Sequence, residues 1–202
     1  MRVLIACESS GIVRDEFLKL GHDAISCDFK ATERPGPHHQ GDVREILGEA
    51  WDLLVAHPVC RRLANSGVRW LTERPEYMAE VQPAAEFFML FDRATHIPRR
   101  AVENPIQHKY ARAYVGRKAE QYVQPHWFGS PFKKATGFWL HGLPKLVRTH
   151  WPKDYPPGTE FKQAVWLESP GPKREENRSR TDPAIAAAMA RTWGGVALQA
   201  AA

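Results

Sequence analysis

Residues 1–28 read M-R-V-L-I-A-C-E-S-S-G-I-V-R-D-E-F-L-K-L-G-H-D-A-I-S-C-D, and this stretch decides the fold. Val3, Leu4, Ile5 and Ala6 form an apolar run too short for a helix, which predicts a buried strand. Glu8-Ser9-Ser10-Gly11 is a tight polar turn. Ile12, Val13, Phe17, Leu18 and Leu20 then recur at helical spacing until Gly21 stops the helix. Residues 22–27 make a second strand that ends at Asp28. Strand, turn, helix, strand opens a parallel sheet, because parallel neighbours need a crossover lying on one face.

Outward from this unit the pattern repeats. Lys30 to Gln40 is rich in Pro, Gly and His without periodicity and predicts a loop. Gly41-Asp42-Val43 precedes a short helix, and Trp51 to Ala56 predicts the next strand. Pro83 to Ala94 is a strongly apolar helix, and Arg100-Ala101-Val102 a brief strand running into Glu103-Asn104-Pro105. From Gln121 to Leu146, turn residues every few positions predict short strands and loops. Lys153 to Glu176 reads as an exposed loop. Asp182 caps, and Pro183 starts, a last helix through Trp193. The expected architecture is α/β: one domain over 1–202 with a doubly wound, mostly parallel, Rossmann-like sheet. Within it, 106–176 is expected to be a reduced, loop-rich, substrate-facing region.

Composition narrows the function classes. At 202 residues with 43% hydrophobic and 25% charged content, the chain reads as a globular domain with a sizeable core. Cys7, Cys27 and Cys60 are too scattered for a disulfide framework or a zinc site, and the nine histidines, His38-His39 among them, lack metal-ligand spacing. No metal is expected. Met1 to Cys7 has no leader-like features and no segment has the apolar length to span a bilayer, so a cytoplasmic location, away from membranes, is expected. The net charge of +5 and seven tryptophans suit a polyanionic partner with stackable bases.

Chemistry points first to Trp51–Trp70, W-D-L-L-V-A-H-P-V-C-R-R-L-A-N-S-G-V-R-W. A buried strand empties into His-Pro-Val-Cys and a loop rich in Arg, Asn and Ser, and loops beyond parallel strands carry the sites of α/β enzymes. Cys60 is the candidate nucleophile, although a lone cysteine also serves as an inert buried thiol. Glu103, beside Asn104 and the rigid Pro105, is a carboxyl at a second strand end. A thiolate together with a carboxyl that protonates a ring nitrogen makes a pyrimidine carbon attackable. The turn at Glu8, Ser10 and Gly11 puts backbone N–H groups at a helix N-terminus, with Asp28 placed for ribose hydroxyls; an ordinary strand–helix turn looks the same. Arg61, Arg62, Ser66, Arg69 and Trp70, and later Trp127, Lys133, Lys134, Thr136 and Trp139, are candidates to clamp phosphates and stack bases, or form a solvated basic face.

These motifs in this order resemble the DNA (cytosine, carbon-5) methyltransferases, and more closely short phage- and prophage-borne methyltransferase-like proteins. The likeness lies in A-C-E-S-S-G-I-V-R-D-E-F, H-P-V-C-R-R-L-A-N-S-G-V-R-W-L, V-E-N-P, F-G-S-P-F-K-K-A-T-G-F-W-L-H-G-L-P and R-S-R-T-D-P-A-I-A-A-A-M-A-R-T-W-G. The resemblance implies a class I methyltransferase-like fold. It implies S-adenosylmethionine bound at Ala6, Glu8, Ser10, Gly11 and Asp28, with Asp42 at its adenine. It further implies that Cys60 adds to carbon-6 of cytosine while Glu103, next to Asn104, bonds the ring nitrogen and amino group, and that Arg61, Arg62, Ser66, Lys134 and Thr136 meet the substrate. A target inside duplex DNA would be flipped out of the stack. The chain departs from the family in Pro58-Val59-Cys60, where Pro-Pro-Cys is usual, and in E-S-S-G, where the first turn is usually glycine-rich. No later arginine motif can be placed, and only the residues between Ile106 and Glu168 are left to read a target. Recognition is then short, or supplied by a partner subunit, or the substrate is a free pyrimidine nucleotide or an RNA base; a binding module without catalysis is the third class.

Overall fold

In the computed structural model, which describes residues 1–163 and 168–195, seven strands form one sheet. They are β1 Arg2–Ala6, β2 Asp23–Asp28, β3 His38–Gln40, β4 Leu53–Ala56, β5 Arg99–Asn104, β6 Gln121–Val123 and β7 Thr136–His141. Their spatial order is β3-β2-β1-β4-β5-β7-β6. The first five are parallel, and β7 runs antiparallel between β5 and β6. The doubly wound, mostly parallel α/β sheet read from the sequence is therefore the fold.

Both faces are covered, and strand parity sorts the side chains. Leu4, Ala6, Leu54, Ala56, Val102 and Trp139 point into one core, against α4 (Val81–Asp92) and α2 (Arg44–Leu47). Val3, Ile5, Leu53, Val55, Ala101 and Phe138 point into the other, against α1 (Ile12–Lys19) and the last helix, Pro183–Gly195. Two covered faces explain why β1 and β4 read as unbroken apolar runs rather than alternating ones. Neighbouring residues of β7 serve opposite cores: Phe138 meets Trp193 edge-on at 5.5 Å and Trp139 meets Phe88 at 4.9 Å.

Asp182 does cap the last helix, its Oδ1 accepting from the Ala184 amide at 2.9 Å. Other expectations need correction. The stretch 30–40 is a loop only as far as Pro37, since His38–Gln40 pairs with Ser26–Asp28 as an edge strand. It is anchored by a polar side chain, His38 Nδ1 lying 2.8 Å from Ser26 Oγ and Nε2 2.9 Å from the Lys30 carbonyl, so no apolar periodicity announces it. The region 106–176 is rich in loops but also holds regular structure. It supplies β6, β7 and the helix α5 (Lys109–Val115), and its end enters α6 (Arg174–Ser179), with the last helix as α7. α5 buries only Ala111 and Val115, too thin an apolar face to register as a pattern. Of the loop expected over Lys153–Glu176, residues 164–167 lie outside the described residues. Among the described residues, no helix is long and apolar enough to cross a membrane.

Candidate active site

The chain leaves β1 toward β2 and β3 on one side and returns through β4 to the other. The crevice beyond the carboxyl ends of β1 and β4 is thus the switch point at which open α/β sheets take ligands. Parallel pairing sets Ala56 of β4 opposite Val102 of β5, so His57 and Glu103 follow side by side. His57 Nδ1 lies 3.3 Å from Glu103 Oε2, with both side chains mostly buried. Glu103 also faces Phe138 across the β5–β7 pair.

Cys60 stands on a tight turn whose carbonyl accepts from the amides of Leu63 and Ala64, both at 2.9 Å. Asn104, fully buried, donates from Nδ2 to the Pro58 carbonyl at 3.1 Å and holds this turn from the neighbouring strand. Asn104 thus supports the turn through Nδ2, while its Oδ1 is left without a partner among the described residues. The loops after β4 and β5 are zipped together: Asn65 N donates to Ile106 O at 2.7 Å, and His108 donates from N to Leu63 O and from Nε2 to Arg62 O. Backbone groups that would otherwise be orphaned are thereby paired, and the turn is stiff.

Cys60 is half-buried. Burial and then the negative charge of Glu103 push its thiol above the ordinary value, while the cations Lys134 and Arg178 pull it back down. Glu103 is near enough for its charge to be felt at the Cys60 thiol, and Cys60 as a residue is only partly buried. The other two cysteines differ. Burial pushes Cys27 up to about 11, and burial with the charge of Asp28 pushes Cys7 further still.

Unpaired polar atoms gather here. Among the described residues, His57 Nε2, Asn104 Oδ1, both amide atoms of Gln107 and Arg178 Nε are buried without a hydrogen-bond partner, as is Arg100 Nε near the opposite end of β5. Each such group costs about 1–3 kcal/mol unless a ligand or water meets it. His57, Asn104 and Gln107 belong to the ends of β4 and β5 and the loop that follows, which marks that end of the sheet as ligand-facing.

The first turn behaves otherwise. Glu8 is buried, and its carboxylate accepts from the Val13 amide at 2.8 Å, the Arg14 amide at 3.3 Å and the Ser10 hydroxyl at 2.9 Å. Ser10 Oγ also accepts from Ile12 N. The N-terminus of α1, expected to receive a ligand's carboxylate or phosphate, is filled by the protein's own acid. Gly11 has another use: a Cβ there would stand 2.5 Å from Arg14 Nη2, so it makes room for that fully buried guanidinium. Arg14 binds Asp15, Ser26 Oγ, Thr32 Oγ1 and the carbonyls of Arg34 and Pro35, which folds the 30–37 loop onto the turn. The expected ligand contacts through the Glu8 and Ser10 side chains are thus corrected to structural ones.

What remains open for a cofactor lies beside that turn. Ala6 ends β1, and its carbonyl accepts from His57 N at 2.9 Å. Asp28 ends β2 and Asp42 follows β3, and both charges are felt at the Cys7 thiol, so the two acids converge on the end of β1. The Arg44 amide, followed by its guanidinium, holds the Asp42 carboxyl below its usual range. Phe29, next to Asp28, is 70% exposed and offers a flat face. Two acids beside an exposed ring suit a cationic ligand bearing sugar hydroxyls and a planar base.

The expected substrate contacts divide. Arg61 and Ser66 are exposed beyond Cys60. Arg62 is committed elsewhere, bonding Glu80 at 2.6 Å and stacking over Tyr77 at 3.5 Å. Thr136 is buried at the start of β7 and donates to the Lys134 carbonyl, so it too is structural. Lys134 is half-buried, its charge reaches Cys60, and its Nζ donates to the Arg180 carbonyl at 2.7 Å, joining α6 to the site. Sequence reading missed His57, Phe29 and Arg178. A histidine three positions before a strand-end cysteine was a legible signal for the first. Arg178, far along the chain, gave none.

The fold and site together define a doubly wound α/β protein with a thiol and an acid at adjacent strand ends. No family model matches the sequence, and no curated protein does. Among solved structures the chain is similar to the methyltransferase EhMeth of Entamoeba histolytica, at 12% identity and a TM-score of 0.47. The match covers 74% of this chain and 57% of that one, so the chain spans little more than half the length of that structure.

Proposed function

We propose that the chain is an S-adenosylmethionine-dependent methyltransferase acting on carbon-5 of cytosine in DNA, through a covalent Cys60 adduct at carbon-6. The observation that carries this reading is the placement of Cys60 and Glu103 at the exits of the neighbouring strands β4 and β5, on a crevice with unmet polar atoms. Asp28, Phe29 and Asp42 would hold the cofactor by its ribose, its adenine face and its positive charge. When bound, that cofactor supplies an electrophilic methyl group. The protein's part is to bind the base, add sulfur and move protons. Glu103 hydrogen-bonds the pyrimidine ring nitrogen, which makes carbon-6 electrophilic as the thiolate approaches. Lys134 and Arg178 offset the negative charge that the thiolate and Glu103 bring together.

A second substrate reading, a free pyrimidine nucleotide or an RNA base, is favoured by the shortness of 106–176, the one stretch left for reading a target. A 5-fluorocytosine oligonucleotide with cofactor tests the proposal. The expected outcome is a denaturation-resistant adduct that disappears in Cys60→Ser and is competed by DNA rather than by deoxycytidine monophosphate. Competition by the nucleotide alone would move the substrate to the second reading. Binding without an adduct in wild type would leave a nucleic-acid-binding module.

A further inference from the structure

The loop that leaves Cys60 carries rings and cations whose contacts form one unbroken run. The Arg69 guanidinium lies 4.6 Å from the centroid of the Trp70 ring. Arg74 lies 5.9 Å from Trp70 and 5.7 Å from Tyr77, and Arg62 lies 3.5 Å from Tyr77. The run then crosses to the loop after β5. The Arg62 carbonyl lies 2.8 Å from His108 Nε2, His108 meets Tyr110 edge-on at 5.8 Å, and Lys109 lies over Tyr110 at 4.9 Å. The Cys60 carbonyl accepts from the amides of Leu63 and Ala64, and Ala64 bridges to Gln107. The middle of the run is thus fastened to the turn that bears the sulfur.

Arg62 is the bolt: its side chain is mostly covered, and Glu80 holds it at 2.6 Å. The ends face outward. Trp70, Tyr110 and, one turn further along α5, Tyr114 are exposed. So are Arg61, Arg69, Arg74, Lys109 and Arg112. Of these cations only Arg61 reaches a carboxylate among the described residues, Glu175 at 4.0 Å. Glu73 and Glu76 are the exposed acids of the same stretch besides the engaged Glu80, so positive charge prevails. Large rings left in water beside such cations suit a polyanion that brings flat apolar faces.

We propose that this run is a path for single-stranded DNA beside the target base, with Trp70 and Tyr110 stacking neighbouring bases and Arg69, Arg74, Lys109 and Arg112 meeting phosphates. The rings decide for a strand over a duplex. A duplex turns its base faces inward and presents phosphates and groove edges, so it calls for cations and hydrogen-bonding side chains. Stacking platforms contribute where bases are unpaired, and they do so whatever the base. A free nucleotide has one base to offer and no use for platforms on two loops. A target that is already unpaired also needs no flipping out of a stack. The path rests on the proposed cytosine chemistry for what happens at Cys60, not for how the strand is held.

Fluorescence anisotropy of a labelled oligonucleotide of about twenty thymidines, titrated with the full chain, tests the path. The single strand should bind about tenfold more tightly than the same strand annealed to its adenine complement. Trp70→Ala and Tyr110→Ala should each weaken the single strand about tenfold, with duplex affinity and melting temperature near wild type, while Trp70→Phe retains most of the binding. Arg69→Gln should weaken both forms and lower the slope of log affinity against log salt by about one. Tighter binding of the duplex, or ring variants that hold the strand as wild type does, would overturn the path. An RNA strand of the same length that binds more tightly would overturn its assignment to DNA. Thymidine lacks the target base, so the two readings fail separately. Ring-dependent binding in a protein that never forms the 5-fluorocytosine adduct would keep the path and sink the cytosine chemistry; adducts in a protein whose ring variants bind as wild type does would do the reverse.

Discussion

The two halves of the switch-point crevice handle polar groups in opposite ways. At the first turn, Glu8, Ser10 and Arg14 are buried and engaged with the protein itself. At the exits of β4 and β5, His57, Asn104 and Gln107 are equally hidden yet keep atoms without partners. The first arrangement is a finished structure. The second leaves polar atoms that the described protein does not itself satisfy. Burial alone therefore does not locate chemistry, whereas burial with unmet valence does.

Three substitutions probe this contrast. The largest effect is expected from Glu103→Gln, which should cut the rate of 5-fluorocytosine adduct formation about 10²–10⁴-fold while the urea midpoint hardly moves; a comparable adduct rate would place the acid outside the reaction. Arg14→Met, on the finished side, should lose about 3 kcal/mol in urea unfolding, since six protein acceptors lose their donor and a buried cation site is emptied. The rate at which iodoacetamide labels its Cys60 should stay at the wild-type value. Glu8→Gln should be the mildest, about 1 kcal/mol in the same unfolding experiment, because one capping oxygen survives. A large loss of cofactor affinity in Glu8→Gln, seen by calorimetry with its fold intact, would erase the distinction between the two sides.

Much of this was legible in the chain and part was not, for physical reasons. Apolar runs at 3–6 and 53–56 and the helical spacing over 12–20 carry the sheet openly, because burial on both faces leaves no polar residue to confuse the pattern. That Cys60 and Glu103 follow neighbouring strands was legible because parallel strand ends lie side by side. β3 and α5 escaped notice because a histidine hydrogen bond and two small buried residues hold them, not a stripe. The cofactor contacts at Glu8 and Ser10 were misjudged because a helix N-terminus looks vacant until the side chain that fills it is located in space. Arg178 and Lys134 reach the thiol from separate stretches of chain, and no local window contains that approach.

β7 has one further consequence. It lies against the strand bearing Glu103, and consecutive residues pin it to α4 on one side and to α7 on the other. A nascent polypeptide from which residues 183–195 have not yet emerged would hold all seven strands but lack Trp193 against Phe138. The face of β7 that looks toward α7 is thus completed only by the last described stretch to leave the ribosome.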